Sequence, residues 1–298
     1  MTPHIEYESL GDPAHPAIVL IMGLGMQLLA WPDNFCNALV ARGFRVIRFD
    51  NRDVGLSGRV PGKKRANILL AMAASALHLP VRTAYTLADM ADDTLRLMDQ
   101  LDIGRAHIVG ASMGGMIAQV LAATHPQRVL SLTSIMSTSG NRKLSKPSKA
   151  AGKALLTRPS DPNDQDLVIE HLVHAFGVIG SPGYPSTREE RRQRIGRSVR
   201  RAYDPAGVAR QLVAVIASGD RRKQLKEIKA PTLVIHGADD PLVPLAAGRD
   251  TAAHIPGAKL LVIEGMGHDL PEALLPRLAD AIGDHAAANA EAFGYLKK

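Results

Sequence analysis

Apolar, β-branched runs alternate with helical patterns along most of this chain. Residues 17–22 (AIVLIM) predict a buried strand ending at Gly23, and residues 34–42 follow at helical spacing with Gly43 as the stop. The next strand is 44–49 (FRVIRF). In residues 86–101, Leu87, Met90, Thr94, Leu97, Met98 and Leu101 share one helix face, with Thr86 as N-cap and Asp89 at the capping-box position. A strand at 106–109 runs into a helix over 113–125 that Pro126 ends, and 129–135 is again a strand. Later come strands at 232–236 and 259–263, a helix near 245–254 and a helical segment from about Pro271. One strand, near residues 5–9, precedes the first run. Short strands that are apolar throughout, alternating with helices, predict an α/β fold with a mostly parallel, doubly wound sheet covered on both faces.

Two stretches break this rhythm. Residues 137–220 begin with a Ser/Lys-rich linker, contain helical pieces, the SPGYPST turn and an arginine run, and close with a core-type helix over 207–217. An insertion here would form a helical cap over one sheet edge. The expected organisation is a core of residues 1–136 and 221–298, with 137–220 as cap and return helix. The other stretch, residues 65–83, carries an apolar segment (68–79) at helical spacing. It reads either as a helix packed on the core or as a source of pocket-lining residues, with Leu69, Leu70, Met72 and Leu77 the candidates for an acyl pocket or a lipid-like substrate. It is too short for the ~20 residues of a membrane span.

Composition narrows the class. A hydrophobic fraction of 46% and a charged fraction of 22% over 298 residues are those of an ordinary globular protein with a sizeable core. Cys36 is the only cysteine, so no intramolecular disulfide can form. The first residues lack a basic segment leading into an apolar one, and no apolar run could span a membrane, so a soluble cytoplasmic protein is expected. The net charge of +7 has a local source in the arginine-rich run from Arg188 to Arg201. That run lacks interleaved aromatics, and no nucleic-acid module surrounds it, so it reads as a solvated helix face offset by Glu189 and Glu190, not as a nucleic-acid site. Glu170, His171 and His174 put two imidazoles on one presumed helix without a third ligand, and neither a metal nor another cofactor is expected.

The sharpest chemical signal is His107-Ile-Val-Gly-Ala-Ser112-Met-Gly-Gly-Met116. A strand that stops at Gly-x-Ser-x-Gly and turns at once into a helix is a nucleophile elbow. Its glycines let the turn close, and the following helix points its N-terminus at the place where an oxyanion would form. Serine needs a base to become a nucleophile at neutral pH, and the base needs a third group to orient it. Among eleven histidines, His268 follows a strand, on a loop with two glycines, at the same sheet edge as Ser112. Asp240, after the 232–236 strand, is the acid of choice. Asp239 is its immediate competitor, and Asp269 a weaker candidate because it adjoins the histidine. The oxyanion donors are assigned to the backbone N–H groups of Met113 and Leu24. Leu24 sits in the Gly23-Leu24-Gly25 loop, where the backbone can approach closely, and Gly23 is a candidate substrate contact.

With these motifs the chain resembles the α/β-hydrolase superfamily across nearly its whole length. The likeness rests on Met22-Gly-Leu-Gly25, where the family usually has His-Gly, on Gly-Ala-Ser-Met-Gly at the elbow, and on Gly237-x-x-Asp240 followed by Gly-Met-Gly-His268. The Gly-x-x-Asp spacing favours Asp240 over Asp239. Residues 50–57 (DNRDVGLS) look like the family's Asp-x-Arg-Gly-x-Gly-x-Ser turn, with Asp53 where glycine is commoner. More narrowly, the sequence is similar to the esterase branch that includes aclacinomycin methylesterase, through 21–23 (IMG), 31–33 (WPD), 46–53 (VIRFDNRD) and 265–268 (GMGH). It departs from the family at Met22 and in having one strand, not a hairpin, before residue 17.

The resemblance implies a serine hydrolase that cleaves small carboxylic esters with short to medium acyl chains through an acyl-enzyme. The same triad could instead serve a C–C bond next to a carbonyl, a thioester or a peracid. A ligand receptor built on the fold would usually have lost a triad member. A serine at the elbow excludes the carboxylate-nucleophile chemistries of epoxide hydrolases and haloalkane dehalogenases.

Overall fold

The computed structural model describes residues 3–60, 66–144 and 146–289. The strands are β1 (Tyr7–Leu10), β2 (Ala17–Ile21), β3 (Arg45–Phe49), β4 (Ala106–Ala111), β5 (Val129–Ile135), β6 (Thr232–Gly237) and β7 (Lys259–Ile263). Among the described residues they form one sheet in the order β1-β3-β2-β4-β5-β6-β7, parallel except for β1 against β3. This is the doubly wound sheet the pattern predicts. β2, β4, β5 and β6 are buried at every position, which is why their sequences show no period of two.

The helices ahead of β5 are α1 (Asp33–Ala41), α2 (Ile68–Ala76), α3 (Leu87–Gln100) and α4 (Met113–Thr124). On one sheet face α3 and α4 set Leu87, Met90, Ile117 and Leu121 against Val19, Ile47 and Ile108. On the other, Phe35 and Leu39 of α1 meet the final helix, whose Leu278 and Ile282 are fully enclosed. Each such side chain contributes ~1.5–3 kcal/mol on leaving water. Thr86 caps α3 as expected: its hydroxyl accepts from the Asp89 amide at 3.2 Å, and the Asp89 carboxylate accepts from the Thr86 amide at 2.7 Å. That reciprocal bonding holds the Asp89 carboxyl below its usual range, even against some burial. β4 runs two residues past the expected end because Gly110 and Ala111 pair with Ser134 and Ile135 of β5.

Between β5 and β6 lie α5 (Lys149–Leu156), α6 (Gln165–Ile179), α7 (Arg188–Arg201), α8 (Pro205–Ser218) and the short α9 (Arg222–Leu225). α10 (Leu245–His254) follows β6, and α11 (Leu275–Ala287) ends the described chain. α5, α6 and α7 pack side by side, and Val168, Ile169, Val173, Ile195 and Val199 form a small apolar core of their own.

The arginine run is α7, but it is more than a solvated face. Arg192 Nε donates to Glu170 Oε1 at 2.7 Å, and Arg188 pairs with the same carboxylate, so Glu170 of the two-histidine segment ties α6 to α7. Arg201 reaches the buried Asp50 at 2.6 Å. From α8, Arg210 grips Asp53 with two bonds, at 2.7 and 2.8 Å. Asp53 has a φ of 69°, which explains why glycine suits this turn; here the carboxylate anchors an inserted helix.

Candidate active site

Register brings the site together. Ile21 of β2 lies opposite Gly110 of β4, so the chain leaving β2 at Gly23 meets the chain leaving β4 at Ser112. This is the crevice where strand order reverses, the usual ligand position in an open α/β sheet. A Cβ on Gly23 would stand 3.2 Å from Ser112 Cβ and 3.7 Å from its Oγ. Gly23 is thus brought against the serine.

Ser112 adopts φ 55° and ψ −118°, a backbone region that costs ~1–3 kcal/mol for a side chain. Its amide donates to Ile135 O at 2.9 Å, and its carbonyl accepts from Ser137 Oγ at 2.8 Å, which pins the turn. The flanking glycines are required by contact. A Cβ on Gly110 would lie 2.2 Å from Gly114 O, and one on Gly114 would lie 2.0 Å from Ile21 O.

The β6–β7 pairing places the other two loops side by side, with Gly237 opposite Ile263. His268 Nε2 lies 3.0 Å from Ser112 Oγ, and its Nδ1 lies 2.7 Å from Asp240 Oδ2. Asp240 Oδ1 accepts the amides of Leu242 and Val243 at 2.9 and 2.8 Å, leaving its other oxygen to the imidazole. Asp240 and His268 are both buried, whereas Ser112 is half-buried. Such a chain can hold a neutral imidazole with its proton on Nδ1 and its lone pair towards the hydroxyl.

The competing carboxylates have other tasks. Asp239 accepts the Gly265 amide at 2.9 Å and so shapes the loop ahead of His268. Asp269 accepts from Ser181 Oγ at the end of α6, and burial pushes its carboxyl above the usual range. Ser181 Oγ also accepts the Gly267 amide at 2.8 Å, while the His268 amide donates to Ile179 O at 2.7 Å. The end of α6 therefore fixes the histidine loop directly. A cleft of about 360 Å³ opens here, lined in part by Gly180, Ser181, Arg191, Asp239 and Asp269; Ser112 and His268 are not among its walls.

Met113 opens α4 immediately after the serine, so its amide belongs to the unpaired first turn. In the facing loop the Gly25 amide donates to Gln211 Oε1 at 2.9 Å, and Gln211 Nε2 donates to Arg52 O at 2.8 Å. Gly25 is thus occupied, whereas the Leu24 amide makes no hydrogen bond among the described residues. Gln211 is completely buried on α8, 186 residues from Gly25, and nothing local in the sequence points to it. His236 was also missed. Its Nε2 donates to Val243 O at 2.7 Å behind Asp240, and burial pushes its pKa down, which keeps it neutral.

The four apolar pocket candidates lie on α2 or at its C-terminal end. Leu69, Leu70, Met72 and Leu77 are 79%, 66%, 46% and 70% exposed. Of α2, only Ala71 is buried. The helix is apolar all round, so its spacing could not reveal which side packs against α8. Arg65, where the expected stretch begins, lies outside the described residues. No group of three or more His, Cys, Asp or Glu side chains suited to a metal occurs among the described residues.

Residues 16–272 match the family model described as the alpha/beta hydrolase fold. The rhodomycin D methylesterase DnrP of Streptomyces peucetius is 31% identical over 94% of both chains. A 2-hydroxy-6-oxononadienedioate/2-hydroxy-6-oxononatrienedioate hydrolase of Cupriavidus pinatubonensis is 29% identical over 84% of this chain and 80% of that one. The crystal structure of an enol-lactonase from Burkholderia xenovorans superposes with a TM-score of 0.70 at 25% identity, covering 95% of this chain and 96% of that one.

Proposed function

This chain belongs to the α/β-hydrolase family, and we propose that within it the protein is a serine hydrolase that cleaves carboxylic esters through an acyl-enzyme intermediate. The observation that carries this reading is the unbroken relay of Asp240 Oδ2, His268 and Ser112 Oγ, with spacings of 2.7 and 3.0 Å on a strained elbow. Ser112 Oγ attacks the ester carbonyl while His268 Nε2 takes its proton, and Asp240 holds the ring and stabilises the imidazolium. The amides of Met113 and Leu24 receive the oxyanion, a contribution worth ~10²–10³ in rate per donor. His268 then protonates the leaving alcohol, and water activated by the same imidazole releases the acid. Residues 137–220 serve as the cap, with α8 returning the chain to the core.

The likeness to a methylesterase favours an ester over the other bonds this relay could attack. The second reading, hydrolysis of a C–C bond beside a carbonyl, is favoured by the likeness to the oxononadienedioate hydrolase. p-Nitrophenyl esters from C2 to C12 separate the two. Turnover that vanishes in Ser112→Ala and Asp240→Asn, but persists in Asp239→Asn, supports the esterase. Covalent labelling by a fluorophosphonate without ester turnover favours the C–C reading.

A further inference from the structure

We propose that the face formed by α2 and the segment at 137–160 docks the protein on an anionic lipid bilayer. The proposal is independent of the ester reading. Leu69, Leu70 and Met72 project from α2 into solvent, and Leu77 and Leu79 stand exposed just beyond its end, where His78 (φ 58°) turns the chain back on the helix. Isolated exposed leucines are ordinary, but four leucines and a methionine within eleven consecutive residues form a patch that water solvates poorly.

Charge identifies the occupant. Residues 66–88 contain no acidic residue, and the exposed Arg82 follows α2. Residues 137–160 contain six Lys and Arg and again no acid. Arg142 of that segment donates to Ser75 O, so it adjoins α2 in space. Arg142, Lys143, Lys146, Lys149, Lys153 and Arg158 are all exposed, and Leu155 and Leu156 are exposed beside them. Together residues 66–88 and 137–160 hold seven of the chain's 36 basic residues and none of its 29 acidic ones, so they account for the whole net charge of +7. An apolar helix beside a segment of exposed cations, with no acidic residue in either, suits a bilayer interface, where the leucines enter the acyl boundary and the cations meet lipid phosphates. A nine-residue helix lies on such a surface and cannot cross it.

Vesicle flotation tests this with the full chain. Wild type should float with vesicles of phosphatidylcholine containing 30–40% phosphatidylglycerol, roughly tenfold more than with phosphatidylcholine alone, and should be released by high salt. The triple variants Leu69→Ser/Leu70→Ser/Leu77→Ser and Lys143→Glu/Lys146→Glu/Lys149→Glu should each lose that binding while melting close to wild type, since the altered side chains are exposed. Failure of wild type to float, binding indifferent to phosphatidylglycerol, or full binding by either variant would overturn the proposal. So would a dimer in sedimentation equilibrium that the leucine variant abolishes, because the face would then belong to a second copy.

Discussion

The amide of Gly25 donates to the side chain of Gln211, 2.9 Å away and 186 residues later in the chain. An inserted helix thereby sets the position of the loop that faces Ser112. The Asp53–Arg210 pair, one residue earlier on α8, fastens the same helix to the turn after β3.

Gln211→Ala should therefore harm catalysis without touching any reacting atom. The Gly25 amide and the Arg52 carbonyl would lose their buried partners, at ~1–3 kcal/mol. With the loop free to shift, kcat should fall on the order of 10- to 100-fold and KM much less. Steady-state kinetics and a melting curve on the same preparation check this. Loss of stability with kcat unchanged would mean that the loop's position does not matter.

Asp53→Gly restores the residue that such turns favour and relieves the positive φ, yet it should destabilise the protein. It leaves the Arg210 guanidinium, 14% exposed, without its principal partner, at a cost of about 3 kcal/mol. Adding Arg210→Met should recover most of that loss. Urea denaturation of both variants measures the coupling.

Gly114→Ala should prevent folding or lower the melting temperature sharply. The new methyl would stand 2.0 Å from Ile21 O, and neither the elbow nor β2 can give way. Gly104→Ala is the control, because nothing lies within 4 Å of its added Cβ.

These relationships separate what sequence discloses from what it conceals. The strands and most helices were legible because buried strands and capped helices carry local signatures, as at Thr86 and Asp89. Ser112, Asp240 and His268 were legible because each follows a strand at one sheet edge, within a short motif that its turn demands. Gln211, Arg201 and Arg210 were not, because their partners at Gly25, Asp50 and Asp53 are distant in sequence and any of several polar residues could have served. α2 stayed ambiguous for a different reason: a helix apolar on every side has no face to read.

Acid should weaken the fold through His107. It is buried on β4, with Nδ1 2.8 Å from Ser131 Oγ and Nε2 without a partner; burial, with His285 and Arg105 nearby, pushes its pKa down from 6.5 to about 4. Between those values the unfolded chain takes up a proton that the folded chain refuses, so stability falls as pH drops from 6.5 towards 4 and levels off below. The contribution is ~3 kcal/mol across that window. Urea titrations at pH 7.5 and 4.5 should show a smaller difference in His107→Phe than in wild type, with the remaining slope shared by His236 and His285, which burial also shifts down.

The central claim is that Ser112 becomes covalently acylated, and intact-mass spectrometry of fluorophosphonate-treated protein tests it most directly. One adduct per chain, mapped to the peptide containing Ser112 and lost in both Ser112→Ala and His268→Ala, is the expected result. An unlabelled wild-type protein, or an adduct on any other residue, would contradict it.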